Sequence, residues 1–395
     1  MRLLIVQYAG DYREAFEGFA EGKGETYYAQ KYSVDAVAEM GKRCEEVTVI
    51  CCLTAEPYDV VLANGVRAIG AGFTDKINTG SLVQLIAKQR PTHLVMRTPM
   101  RAVFRWAVKH KVKTIATLAD SFSTEGFRNK IRNYLLSRQL NKNHIEWIGN
   151  HGINSCLSLQ ATGVKSDKII PWDWPARFTP DLFEPKTLPV DKITWNLVFV
   201  GSITESKGLG DVLAAVAKLK AQNLSVNLKI AGQGEVEKFT DRAKELEIAE
   251  SVEFLGMLEN NRVVHLMRDA DLVVVPSHHE YPEGLPMTIY EALCSRTPII
   301  ASDHPMFQNN LIHGESAMIF SASDSVDLAE QIEKLVSDPA LYQSISLAAA
   351  DAWKRLQLPV QWAMMIERWL DGSEENRQWL QKHAISSEIY NSRLA

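Results

Sequence analysis

The sequence predicts an α/β protein built from two doubly wound domains, each a parallel sheet with helices on both faces. Short apolar runs alternate with longer amphipathic stretches, the alternation restarts in the second half of the chain, and a proline-dense segment separates the two series. In the first series LLIV (3–6), VTVICC (47–52), HLVM (93–96) and TIATL (114–118) are strands, and stretches such as YSVDAVAEMGKRC are helices. The second series runs NLVFVG (196–201), LKIAG (228–232), VEFLG (252–256), LVVVPS (272–277) and PIIAS (298–302). Between them, IIPWDWPARFTPDLFEPKTLPVDKITW holds five of the 15 prolines, Pro171, Pro175, Pro180, Pro185 and Pro189. Proline fixes φ and removes a donor, so this density marks an extended connector. The expected boundaries are a first domain over 1–185, a second domain over 190–355, and a helical tail over 356–395. Trp362, Trp369 and Trp379 should pack that tail onto the body.

At 395 residues the chain exceeds one ordinary core, and 46% hydrophobic with 23% charged residues is a globular composition. No apolar run reaches the length of a membrane span, and MRLLIV reads as a buried first strand. The five cysteines, Cys44, Cys51, Cys52, Cys156 and Cys294, show no C-x-x-C spacing and read as reduced core residues of a cytoplasmic protein. A net charge of −5 argues against general nucleic-acid binding.

Open parallel sheets bind ligands beyond the carboxyl ends of their strands, so two such domains facing a cleft would place function in the loops after strands. The stretch PSHHEYPEGLPMTIYE (276–291) leaves one of those ends. Pro286 suits the first turn of a helix, whose free N–H groups and dipole favour an anion, and Gly284 permits close backbone approach. Glu283 beside a phosphate would repel it, so sugar hydroxyls are the better partner for this carboxylate. Glu291 lies about 7.5 Å further along the axis at the usual helical rise. The pair would then span the hexose and ribose of a nucleotide-diphosphate sugar. Spacing alone is equally compatible with a capping acid and a surface helix residue.

The order EGLPMTIYE followed by ALCSRTPIIAS resembles the E-x7-E signature of GT-B-fold retaining glycosyltransferases related to family 4. That resemblance implies two Rossmann-like domains, with Glu283 on the donor hexose and Glu291 on the ribose. It also matches Lys207 and Gly208 of GSITESKG (201–208) to a diphosphate-gripping loop. LKIAGQGE (228–235), VEFLGML (252–258) and LIHGESAMIF (311–320) fall in the order the family shows, so the resemblance covers roughly 195–350. The donor-binding set it implies is Gly201, Ser202, Lys207, Gly256, His278, Glu283, Gly284, Leu285 and Glu291. The implied donor is of UDP or GDP type, a co-substrate with no separate cofactor and no metal, and the anomeric configuration would be retained.

Three positions depart from the family pattern. Ser202 stands where an arginine is usual. Ser295-Arg296-Thr297-Pro298 replaces a small-Gly turn, leaving Arg296 as either a solvated turn residue or a replacement cation. Ala9-Gly10-Asp11 stands where a Gly-Gly pair is common. GSITESKG is not a Walker A loop, because its lysine precedes the glycine. Gly232-Gln233-Gly234 lacks the third glycine of a dinucleotide fingerprint and reads as a close strand-to-helix turn. Asp269-Ala270-Asp271 precedes its strand and reads as structural, and the adjacent His278 and His279 are poorly placed to share a metal.

In the first domain Asp120 ends TIATLAD, where a carboxylate could orient or deprotonate an acceptor hydroxyl, or cap a helix. Arg97, Asn150 and His151 are at analogous strand ends. Residues 97–142 carry eleven Lys and Arg against only Asp120 and Glu125. Phe127, Ile131, Tyr134 and Leu135 share a helical face beside Arg128, Arg132 and Arg138. That pattern is compatible with contact to anionic lipid, with a polyanionic acceptor, and with a solvated basic face. The expected function is sugar transfer from a nucleotide-diphosphate sugar, with Glu283, Lys207 and Asp120 as catalytic residues. The acceptor would be a glycan or lipid-linked glycan of cell-surface polysaccharide synthesis, and the protein cytoplasmic with peripheral contact at the inner membrane face. A nucleotide-sugar epimerase or hydrolase, and a non-catalytic partner subunit, remain alternative classes.

Overall fold

The computed structural model describes residues 1–74, 76–124, 126–189 and 191–391. It comprises two compact units, one formed by Met1–Glu25, Ala29–Pro175 and Leu358–Ala395, the other by Thr26–Tyr28 and Ala176–Gln357. The C-terminal segment thus belongs to the first unit.

The first unit has eight strands: β1 (Arg2–Gln7), β2 (Glu46–Leu53), β3 (Pro57–Val61), β4 (Arg67–Phe73), β5 (His93–Met96), β6 (Lys113–Leu118), β7 (Ile145–His151) and β8 (Ile169–Trp172). Their order is β3-β4-β2-β1-β5-β6-β7-β8. All neighbours are parallel except β3 with β4. Successive side chains of a strand point to opposite faces, so β1 feeds two cores. Leu4 and Val6 pack with Ile50, Phe104 and Ile148 on one side. Leu3 and Ile5 pack with Val49, Trp172, Trp362 and Trp369 on the other. A parallel sheet covered on both faces needs such near-continuous apolar strands. Pro171 lies in β8, the edge strand, where a missing N–H breaks no ladder.

The second unit has β9 (Thr194–Val200), β10 (Ser225–Ala231), β11 (Val252–Gly256), β12 (Leu272–Val275), β13 (Ile299–Ser302) and β14 (Met318–Phe320). The order is β11-β10-β9-β12-β13-β14, parallel throughout. Counted within the unit this is the 3-2-1-4-5-6 order of doubly wound nucleotide-binding sheets, whose ligands sit where the winding reverses. The reversal here lies between β9 and β12. Leu197 and Phe199 enter one core with Leu213 and Ile230, and Val198 enters the opposite core with Val273 and Ile289.

Two ambiguous sequence features resolve as structural. Asp271 accepts hydrogen bonds from Lys192 Nζ (2.6 Å) and the Asn196 amide (2.7 Å), anchoring the start of the sheet. Arg296 has a left-handed backbone (φ 59°) past the helix Met287–Ser295 and donates to the carbonyls of Pro180 (3.0 Å) and Leu347 (3.2 Å). It is a helix-end clamp, not a solvated turn residue. Cys51, Cys52, Cys156 and Cys294 are buried free thiols, and Cys44 is partly exposed.

Candidate functional site

The loops that follow β9 and β12 meet at the reversal of the second sheet. After β9, Gly201 N donates to the Ala231 carbonyl (3.0 Å), Ile203 N to Gln233 (2.9 Å), and Glu235 N to Ile203 (2.9 Å). This interlock explains the glycines of Gly232-Gln233-Gly234. Both have positive φ (147° and 145°), and a Cβ on either would overlap a carbonyl oxygen of the β9 loop, Gly201 or Ile203. The loop then delivers Lys207 and turns at Gly208 (φ 80°) into the helix Leu209–Ala221. A Cβ on Gly208 would overlap the Pro276 carbonyl oxygen, so the β9 and β12 loops touch backbone to backbone here. A hydrogen bond from His278 N to the Ser206 carbonyl (3.0 Å) joins them again.

Within this junction Lys207 Nζ and Glu283 Oε1 form an ion pair, with both residues buried. Ser277 Oγ also donates to Glu283 Oε1 (2.8 Å), and the ammonium lies 4.7 Å from the centre of the Tyr281 ring. The loop carrying these groups is pinned from behind. Ser302 Oγ donates to the Ser277 carbonyl (2.6 Å), and His304 Nε2 is 3.1 Å from the Tyr281 carbonyl. Pro286, expected in the first turn of this helix, instead stands just before it, an N-cap residue with extended backbone (ψ 134°) ahead of the helix Met287–Ser295. Gly284 and Leu285 lead into it and are buried.

Glu291, on that helix, is buried and accepts a 2.6 Å hydrogen bond from Asn260 Nδ2. Burial pushes its carboxyl up to about 8, a shift the Asn260 bond only partly offsets. The buried Oδ1 of Asn260 has no hydrogen-bond partner among the described residues. Asn260 begins the helix that follows the end of β11, so it too sits beyond a strand terminus.

The sequence-predicted donor residues therefore fall into three groups. Lys207, Glu283, Gly284, Leu285 and Gly201 belong to the loop junction, with Gly201 carrying the Lys207 side chain against it. His278 is engaged by Asp211 Oδ2 (2.6 Å) and Glu280 Oε1 (3.3 Å), and Glu291 by Asn260. Ser202, in the loop after β9, and Gly256, at the end of β11, are exposed. Asp120 belongs to the other unit. Ser277, Tyr281, Asn260 and Asp211 escaped the sequence reading. Asp211, three residues beyond Gly208 in the first turn of a helix, had a positional signal, as did Asn260 after a strand-ending glycine.

In the first unit the reversal lies between β1 and β5, and it too carries polar strand ends. Arg97 Nη1 donates to Gln7 Oε1 (3.2 Å) and Ser33 Oγ (3.4 Å), with its guanidinium 5.0 Å from the Trp362 ring centre. His151 Nε2 lies 3.0 Å from Asp173 Oδ1, and both are buried. Asn150 braces the β6 end, donating to the Asp120 carbonyl (2.9 Å) and accepting from its amide (3.2 Å). Desolvation pushes the Asp120 carboxyl up to about 6. Asp11 caps the helix Tyr12–Ala20 by accepting from Arg13 N (2.9 Å) and Glu14 N (3.3 Å).

Residues 183–351, the body of the second unit, match the family described as Glycosyl transferases group 1. The solved structures of sucrose-phosphate synthase from Thermosynechococcus elongatus and of Anabaena HepE in complex with UDP and glucose each align with 94% of this chain and 98% of theirs. TM-scores are 0.68 and 0.65, at 15% and 17% identity. The chain has the GT-B fold, and its second unit is related to the group 1 glycosyl transferases. Among curated relatives of this GT-B protein, glycogen synthase of Mycobacterium tuberculosis is 29% identical over 179 residues, 45% of this chain and 40% of that protein. The chain thus spans less than half the length of that relative. The aligned length is about that of the second unit, which holds Lys207, Glu283 and Glu291.

Proposed function

We propose that the protein is a glycosyltransferase that moves a hexose from a nucleotide-diphosphate sugar to a glycan or lipid-linked glycan of cell-surface polysaccharide synthesis, with retention of anomeric configuration. The observation that carries this reading is the convergence of Lys207 and Glu283 at the winding reversal of the second sheet. A cation and a carboxylate set beside a helix start supply what a diphosphate and a sugar hydroxyl each require. The relation of the second unit to group 1 glycosyl transferases, and the UDP and glucose bound to HepE, support a donor of UDP type.

In this reading Lys207 and the helix start at Pro286 stabilise the charge that grows on the departing diphosphate. Glu283 and the backbone of Gly284 and Leu285 hold the hexose, Glu291 holds the ribose, and Gly201, Ser202, Gly256 and His278 complete the wall. The bond from the anomeric carbon to the phosphate oxygen breaks, and a bond to the acceptor hydroxyl oxygen forms. Asp120, on the acceptor-binding unit, takes the hydroxyl proton. The work would take place on the cytoplasmic side of a membrane that carries the acceptor.

A thermal-shift panel of UDP, GDP, ADP and their sugars tests the donor assignment. One nucleotide family should raise the melting temperature with the logarithm of its concentration, and its sugar should be consumed when acceptor is supplied. Absence of stabilisation by every nucleotide would overturn the reading, and consumption of donor without acceptor would redirect it to hydrolysis.

A further inference from the structure

The first unit carries an outward basic and apolar face that the donor chemistry does not use. In the helix Phe127–Leu140 the buried side is Asn133, Leu136, Ser137 and Leu140. On the other side Phe127 (77% exposed), Ile131 (45%) and Tyr134 (56%) follow at intervals of four and three, forming one apolar stripe in water. Arg128, Lys130, Arg132 and Arg138 are exposed around it. The helix FRNKIRNYLLSRQL contains no acid, and neither does its packed neighbour Arg101–Lys109, which adds exposed Arg101, Arg105 and Lys109. Among the described residues, none of these cations lies within ion-pair distance of a carboxylate. A solvated structural face of this size ordinarily mixes signs, and acids within reach would pair with some of the arginines.

We infer that this face docks the protein on an anionic phospholipid surface, with Phe127, Ile131 and Tyr134 entering the headgroup boundary and the arginines and lysines resting on lipid phosphates. Two features select lipid over a soluble polyanion. The exposed apolar stripe lies along the helix among the cations, as in helices that lie in a membrane interface. Its Tyr134 is of the kind that settles at headgroup level. Attraction of several clustered cations to anionic headgroups then adds to apolar entry. No helix among the described residues is long and apolar enough to cross a membrane, so attachment would be peripheral and reversible. The inference deepens the lipid-linked acceptor reading and rests on it for its biological purpose, but its measurement does not involve sugar transfer.

The full chain is sedimented with vesicles of phosphatidylcholine alone and of phosphatidylcholine mixed with phosphatidylglycerol, at low and high sodium chloride. The protein should pellet with the mixed vesicles at low salt, stay in solution with the neutral ones, and be released as salt rises. Phe127→Ser with Ile131→Ser, both at exposed positions, should weaken binding roughly tenfold while circular dichroism and melting remain unchanged. Arg128→Glu with Arg132→Glu should abolish it. Failure of the folded protein to bind the mixed vesicles at low salt would overturn the inference, as would full binding by the serine variant. Capture by polyphosphate without capture by vesicles would also overturn it, in favour of a soluble polyanion. A chain that binds these vesicles yet transfers no sugar would overturn only the proposed activity.

Discussion

Lys207 and Glu283 are each other's buried partners, although they are 76 positions apart and reach the junction from different loops. Read from the sequence, they address different parts of a donor, cation to phosphate and carboxylate to sugar. Within the junction each neutralises the other, which avoids leaving two isolated buried charges. A diphosphate would compete with Glu283 for the ammonium, and the freed carboxylate would turn to hydroxyls.

Lys207→Ala should therefore damage both stability and nucleotide binding. Removing one partner strands the other charge, at a cost of about 3–5 kcal/mol. The double change Lys207→Met with Glu283→Gln removes both charges and should recover most of that loss without restoring affinity. Urea denaturation paired with calorimetric nucleotide titration separates the effects. Recovery of binding in the double variant would contradict a role for Lys207 in gripping the diphosphate.

Gly208 and Gly256 both have positive φ, 80° and 67°, but their surroundings differ. At Gly208 a methyl group would overlap the Pro276 carbonyl oxygen and force apart the loops that carry Lys207 and Glu283. At Gly256 the space is open. Gly256→Ala should cost only the backbone penalty of about 1–2 kcal/mol. Gly208→Ala should cost more and weaken nucleotide binding at least tenfold. Equal melting losses for the two variants would count against the loop contact.

Glu291 predicts a pH dependence with a definite sign. Its carboxyl is raised from an ordinary 4.5 to about 8 in the folded chain, chiefly by burial. Between those values the native state binds more protons than the unfolded state, so stability should fall as pH rises through this window. Glu291→Gln keeps the shape and removes the titration. Its stability relative to the parent should grow steadily from pH 5 to about pH 8, measured by denaturant unfolding. A constant difference would show that Glu291 is ionised across the range.

Asp120 is the group expected to set the acid limb of transfer. Held up to about 6 by desolvation, it accepts a proton only when ionised, so kcat/KM should fall as pH drops through that value. Asp120→Asn should lower turnover about a hundredfold or more and flatten the limb, leaving nucleotide affinity unchanged. Persistence of the limb in the variant would assign it to another group.

The alternating apolar runs made both sheets legible, because a parallel strand buried on both faces must be apolar almost throughout. The strands at β1, β2, β5, β6 and β9 to β13 stand where those runs predict. The elements that escaped had other reasons to exist. β3 is an exposed antiparallel edge, β4 carries two glycines in RAIGAGF, and β14 has only three residues. β8 contains Pro171 and merged with the proline-rich connector, since edge position is a property of topology that a local pattern does not carry. At the site, Lys207, Glu283 and Glu291 were legible from motif and position. Their partners Asn260 and Ser277 were not singled out, because small polar residues beyond strand ends are common and only the folded sheet brings these two to the acids.

The C-terminal segment is structural in a way that truncation should expose. Asp173 N donates to the Val360 carbonyl (2.9 Å) and Trp362 N to the Asp173 carbonyl (3.1 Å), extending the edge at β8 by a short parallel bridge. Trp362 is fully buried among Trp172, Trp174 and Arg97, and Trp369 Nε1 donates to Glu146 (2.6 Å). Ile385 and Tyr390 cover the opposite core. Trp362→Ala should cost about 3–5 kcal/mol through lost apolar contact and the cavity left behind. A chain ending at Gln357 should lose the cooperative melting of the first unit, because both faces of its sheet would be opened. Scanning calorimetry of the full and shortened chains checks this, with nucleotide-dependent stabilisation reporting separately on the second unit. An unchanged first-unit transition in the shortened chain would show that the segment lies on the fold without holding it.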